Sequence, residues 1–203
     1  MTVMFTAMFS AVSIVWDREF GFLREMLVAP VSRGSLVIGK CLGGATVATF
    51  QGGLMLLLAP LVGVPFSPVL LVVLLAEMGL AALVLTAFGT LIASRMTQVE
   101  SFWAVMQLVM LPMFFLSGAL FPLSNLPGWL AALTRLDPVT YAVDPMRRAV
   151  FAAVDVPPAT ERTLSPGLTW GGWRLPTALE LAIVALLGVV VLTGAIAQFS
   201  RTE

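Results

Sequence analysis

Glu77 stands inside a long apolar run, where an ionisable side chain is costly and becomes a candidate for proton coupling or substrate contact. The alternative is a protonated carboxyl, or one bonded to Gln51 or Gln107 on facing helices. Gln51, Gln107, Phe114, Phe115 and Ser117 also fall in apolar runs. With Glu77 they could line a route for an amphipathic substrate, or simply bond and pack between helices. Gly34-Ser35-Leu36-Val37-Ile38-Gly39-Lys40-Cys41 comes within one residue of the phosphate-cradling pattern G-x-x-x-x-G-K-[ST]. Its last position fails, because a thiol does not supply the hydroxyl that holds magnesium, and no buried strand precedes it. Nucleotide binding is not expected in this chain. Asp144 stands three and four residues before Arg147 and Arg148, a spacing that suits a local ion pair. Histidine is absent and Cys41 is the single cysteine, which removes the commonest general base and metal ligand and any internal disulfide. Enzymatic chemistry, a resident metal and a cofactor are therefore not expected, and a net charge of zero gives no reason to expect nucleic acid.

The densest charge cluster is the stretch 16–30, WDREFGFLREMLVAP. At helical period Trp16, Phe20, Leu23 and Leu27 form one stripe, Arg18 and Glu25 point away from it, and Pro30 stops the helix. This predicts an amphipathic helix at a membrane surface with a polar face for a partner in water. A solvated helix that only joins two spans would read the same way.

These residues must be positioned by membrane elements. Hydrophobic residues make up 59% of the 203 and charged residues 11%, against about 45–50% and about 25% in soluble domains. Several apolar runs exceed the ~18 residues of a spanning helix. The fold class expected is all-α, a polytopic membrane helical bundle in one domain, residues 1–203. Residues 1–15 reach roughly 22 Å as a helix, short of the ~30 Å hydrocarbon core, and read as part of a span. Further spans are expected over 35–62, 68–93, 101–117 (kinked at Pro112) and 176–199, five apolar segments in all. Gly43, Gly44, Gly52 and Gly53 thin the second for close packing. Residues 118–175, rich in proline, read as re-entrant or interfacial helices followed by a polar loop, and Glu180 as a residue near the interface. Arg18, Arg24, Arg33, Lys40, Arg95 and Arg201 fall on one side of the membrane and Arg135, Arg147, Arg148, Arg162 and Arg174 on the other. The dense first loop favours its own side as cytoplasmic.

Three blocks, taken together, resemble the membrane subunit of type 2 ABC exporters, close to the daunorubicin-resistance-like efflux permeases. They are Glu19-x-Gly21-x-Leu23-x-x-x-Leu27-x-Ala29-Pro30-Val31-Ser32-Arg33, then LSGALFPLSNLPGWL over 116–130, then DPVTYAVD over 137–144 with Arg147. The resemblance implies a multi-pass subunit in the plasma (inner) membrane, paired with a second permease copy and a separate cytoplasmic ATP-binding subunit that carries ATP and magnesium. It implies that the charged loop is a coupling helix gripped by that subunit, with Arg18, Glu19, Gly21, Leu23, Arg24 and Pro30 in the contact zone. Six spans are expected in the family, so this chain is expected to begin partway into the second. The rival readings are a proton-coupled secondary carrier that uses Glu77, and a membrane anchor that transports nothing.

Overall fold

In a computed structural model the chain is described over residues 1–22, 32–65, 67–120, 127–154, 167–170 and 173–202. Its helices are α1 (Thr2–Ser10), α2 (Val12–Glu19), α3 (Arg33–Leu56), α4 (Pro68–Ala93), α5 (Val99–Leu116), α6 (Gly128–Leu136), α7 (Pro138–Ala153) and α8 (Thr177–Thr202). Three of them, α4, α5 and Thr177–Ser200 of α8, are long and apolar enough to cross a membrane. The long helix α3 is diluted by its glycines, Lys40 and Gln51 and does not join those three.

α4 is the central rod. Its start is set locally: the Ser67 hydroxyl accepts from Leu70 N–H and Pro68 occupies the first turn, where its missing donor costs nothing. α8, α3, α1 and α7 all pack on it. Gly89 lets α1 approach so closely that a Cβ there would lie 2.7 Å from the Met8 carbonyl oxygen. Gly44 and Gly52 of α3 do the same against Ser10, Thr86, Met78 and Val3, whereas Gly43 faces open space.

The first apolar segment is interior and runs further than residue 15. Met4, Ala7, Met8, Ile14 and Val15 are all buried in the main core. The segment breaks at Ala11 for a local reason. The Ser10 hydroxyl donates to the Ala7 carbonyl, and Ala11 N–H turns to Met8 O instead, at 3.4 Å. α2 then continues to Glu19 and is closed by Gly21 at φ +83°. The helix expected over 16–30 is thus corrected at its start: Trp16 to Glu19 are the last turn of α2, and the left-handed Gly21 divides them from Phe22 and beyond. Leu23, Arg24, Leu27 and Pro30 of that expected helix lie outside the described residues.

Two further expectations change. The helix expected over 35–62 ends at Leu56, because Pro60 lacks a donor and in a continued helix its ring would meet the carbonyl four residues back; a 3₁₀ turn, Ala59–Val62, comes next and Gly63 at φ +83° closes it. The all-α expectation needs one amendment within 118–175: Thr169–Trp170 (β1) and Trp173–Arg174 (β2) form a two-stranded antiparallel ladder, with Trp170 opposite Trp173. Threonine and tryptophan favour such a pleated pair, and apolar length alone did not reveal it. The same stretch contains the helices α6 and α7, and α7 tolerates Pro145 in its interior.

Candidate coupling and transport sites

The charged side chains gather at the two ends of the bundle. At one end, three consecutive residues at the close of α2 reach three different elements. Asp17 pairs with Lys40 of α3, whose ammonium also donates to Ser13 Oγ at 3.3 Å. Arg18 Nη1 donates to the carbonyls of Ser94 (3.1 Å) and Met96 (2.7 Å), just past α4. Val99 N–H, the first of α5, donates to Glu19 Oε2 at 2.8 Å. Arg33 meets the Ser200 carbonyl at 2.9 Å and Arg95 the Gln198 side chain at 3.5 Å, so the α8 terminus lies here too. The stretch Gly34 to Cys41, which nearly matches a phosphate loop, is continuous helix with its lysine engaged by Asp17. Beyond this end Phe20, Gly21 and Phe22 are exposed, the two rings by 70% and 58%. Of the expected contact-zone residues, Arg18 and Glu19 are therefore bonded within the chain, Gly21 is exposed, and Leu23, Arg24 and Pro30 lie outside the described residues.

The opposite end holds a buried ion cluster. Arg148 donates to Asp144 and, at 2.9 Å, to Glu180 Oε1; its other amino group donates to the Leu175 carbonyl at 2.8 Å. Leu168 N–H adds a bond to Asp144 at 3.2 Å. The i,i+4 pair was legible in the sequence. The burial of Glu180 was not: in the first turn of α8 it is fully buried, and α7 brings a guanidinium to it across 32 residues. Arg147 donates to the Gly118 carbonyl, and burial lowers its pKa, with Asp144 opposing that fall. Asp137 caps α7 by accepting from Val139 N–H and Thr140 Oγ1, both at 3.1 Å. Desolvation lifts its carboxyl to about 6 despite those bonds.

The candidate route residues do not share one surface. Gln51 accepts from the Thr6 hydroxyl, a bond between α3 and α1. Glu77 is buried and bonds to neither Gln51 nor Gln107; its Oε2 makes no hydrogen bond among the described residues. Of the alternatives for Glu77, the bond to a facing glutamine is not formed, since Gln51 is turned to α1 and Gln107 is exposed on α5. Ser117 is buried at the end of α5, donating to Phe114 O at 2.8 Å and accepting from Ala119 N–H at 3.3 Å. Phe114 stacks edge-on to Phe5 and Phe115 in an aromatic seam that continues through Phe9 to Trp103. A separate apolar groove of about 640 Å³ runs between α3 and α4, lined by Thr46, Phe50, Leu54, Leu75 and Leu83 among others.

Long apolar helices on a buried core, three of them long and apolar enough to cross a membrane, define a helical membrane protein. Comparison with known proteins places it further. The family described as ABC-2 type transporter matches residues 1–151, and the chain belongs to that family. It is 32% identical over 140 residues to a putative transport permease, ycf38, of Cyanophora paradoxa, covering 68% of this chain and 48% of that protein. It is 34% identical over 137 residues to a probable multidrug ABC transporter permease, YbhR, of Escherichia coli, covering 66% and 37%. It is 30% identical over 144 residues to a probable doxorubicin resistance ABC transporter permease, DrrC, of Mycobacterium tuberculosis, covering 68% and 51%. The chain therefore spans about half the length of these relatives or less.

Proposed function

We propose that this chain is the membrane-spanning subunit of an ATP-driven exporter. It pairs with a second permease copy in the plasma membrane and moves an amphipathic drug or lipid-like substrate. A separate cytoplasmic subunit binds and hydrolyses ATP with magnesium. Family membership supports the transporter class, and the names of two relatives, multidrug and doxorubicin resistance permeases, support the substrate class. The observation that carries the coupling mechanism is the end of α2. There α2 closes before the left-handed Gly21, in a charged stretch whose Phe20 and Phe22 are exposed. A partner that grips residues 20–30 from the cytoplasm would tilt the rods on either side of them, which is a rigid-body change of the kind that opens a route between subunits.

The test is crosslinking in native membranes from single cysteines placed at positions 22–28, in a Cys41→Ser background. The expected product joins this chain to a nucleotide-hydrolysing protein. Absence of any such product at every position refutes the proposal. The unbonded Oε2 of Glu77 favours one rival, the proton-coupled carrier. That rival predicts transport driven by a pH gradient without an ATPase subunit, abolished by Glu77→Gln.

A further inference from the structure

Arg18 and Glu19 sit inside the stretch that a partner would grip, yet both are engaged by the chain itself. Arg18 bonds the carbonyls of Ser94 and Met96, and Glu19 bonds the N–H of Val99, spanning 76 to 80 positions of sequence. The sign of each charge matches what it meets. Ser94 and Met96 come after the last turn of α4, where unpaired carbonyls give a helix terminus its negative character. Val99 opens α5, where free N–H groups are positive, and Gln98 at that cap supplies no side-chain bond. A cation and an anion in consecutive positions thus hold the two ends of one turn, Ser94 to Val99. Asp17 ties the same helix end to Lys40 on α3.

We infer that Arg18 and Glu19 are positioning residues that carry displacement of the partner-gripped segment into the turn between α4 and α5, and that they are not themselves the partner's contact. This rests on the proposed function and sharpens it. Glu19 is the last residue of α2, and Gly21, at φ +83° with nothing within 4 Å of its Cβ position, follows it. A push on residues 22–30 enters the bundle at the end of α2 and at the start of α3, the described elements on either side of them. α2 itself packs on α4 and α5, and the bonds of Arg18 and Glu19 add a polar tie from its last turn to the α4–α5 turn. That turn closes α4, on which α8, α3, α1 and α7 pack.

The experiment uses the full-length protein reconstituted with its ATPase subunit in liposomes, and reads subunit affinity and substrate moved per ATP hydrolysed. Arg18→Ala and Glu19→Ala are expected to leave affinity within about twofold of wild type and to lower transport per ATP by about tenfold, within the roughly 5–150-fold range of ordinary coupling. Arg18→Lys, which keeps a cation beside the carbonyls, restores most of it. The exchanged pair, Arg18→Glu with Glu19→Arg, faces like poles at both ends of the turn and fails completely while still binding the subunit. Loss of subunit binding in the alanine variants makes these residues partner contacts and overturns the inference alone. An unchanged transport-to-hydrolysis ratio does so too. A wild-type chain that recruits no ATPase sinks the proposed function with it.

Discussion

Removing Arg148 tests whether the buried cluster holds α7 to α8. Its guanidinium makes two charge-assisted bonds, to Asp144 and Glu180, and a third bond to the Leu175 carbonyl. The side chains of the three ions are only 17%, 8% and 0% exposed, so solvent screens them little. Arg148→Ala leaves two buried carboxylates facing each other without the cation that bridges them, and breaking such a set by removing one partner costs ~3–5 kcal/mol. Charge-assisted bonds at about 1.5–3 kcal/mol each reach the same range. For a chain of this length that is a fall of roughly 6–20 °C in Tm, read by thermal unfolding of the detergent-solubilised protein. The neutral set Arg148→Met, Asp144→Asn, Glu180→Gln should recover much of the loss, since removing all the charges together strands none of them. A melting point within ~2 °C of wild type for Arg148→Ala refutes the argument, because the cluster would then carry no net stability.

Two more predictions concern single positions. Burial raises Asp137 from an ordinary 3.8 to about 6, so its neutral form is favoured by the fold. The stability tied to that group is complete below 3.8 and is lost as pH rises through about 6, by up to ~3 kcal/mol at ~1.4 kcal/mol per unit. Asp137→Asn, which keeps the cap, should flatten the stability profile between about pH 4 and 7, and an unaltered slope in urea titrations across that window counts against the assignment. Gly89→Ala drives a Cβ to 2.7 Å from the Met8 carbonyl, a main-chain atom with little room to retreat, and should cost ~1–3 kcal/mol. Gly43→Ala meets open space and should stabilise α3 by up to ~1 kcal/mol. Equal melting points for the two glycine variants would contradict the packing described.

Local signals determined much of this molecule. Ser67 and Pro68 mark the start of α4, and the expected bounds 68–93 coincide with the helix, because a cap and a first-turn proline act within a few residues. The i,i+4 spacing of Asp144 and Arg148 forms the expected pair for the same reason. Membership of the transporter family was also legible, carried by short blocks in order. The sequence left open which face of each rod meets protein. In a membrane both lipid and core are apolar, so a helix that is greasy all round gives no stripe from which to read its inner face. Tertiary structure alone decided that Thr2–Ser10 lies in the core, that Glu180 is buried against Arg148, and that Gln51 turns to Thr6 and leaves Glu77 without it. It also decided that Arg18 and Glu19 fold back on the α4–α5 turn, since a bond across some eighty residues exists only once the helices between them have packed.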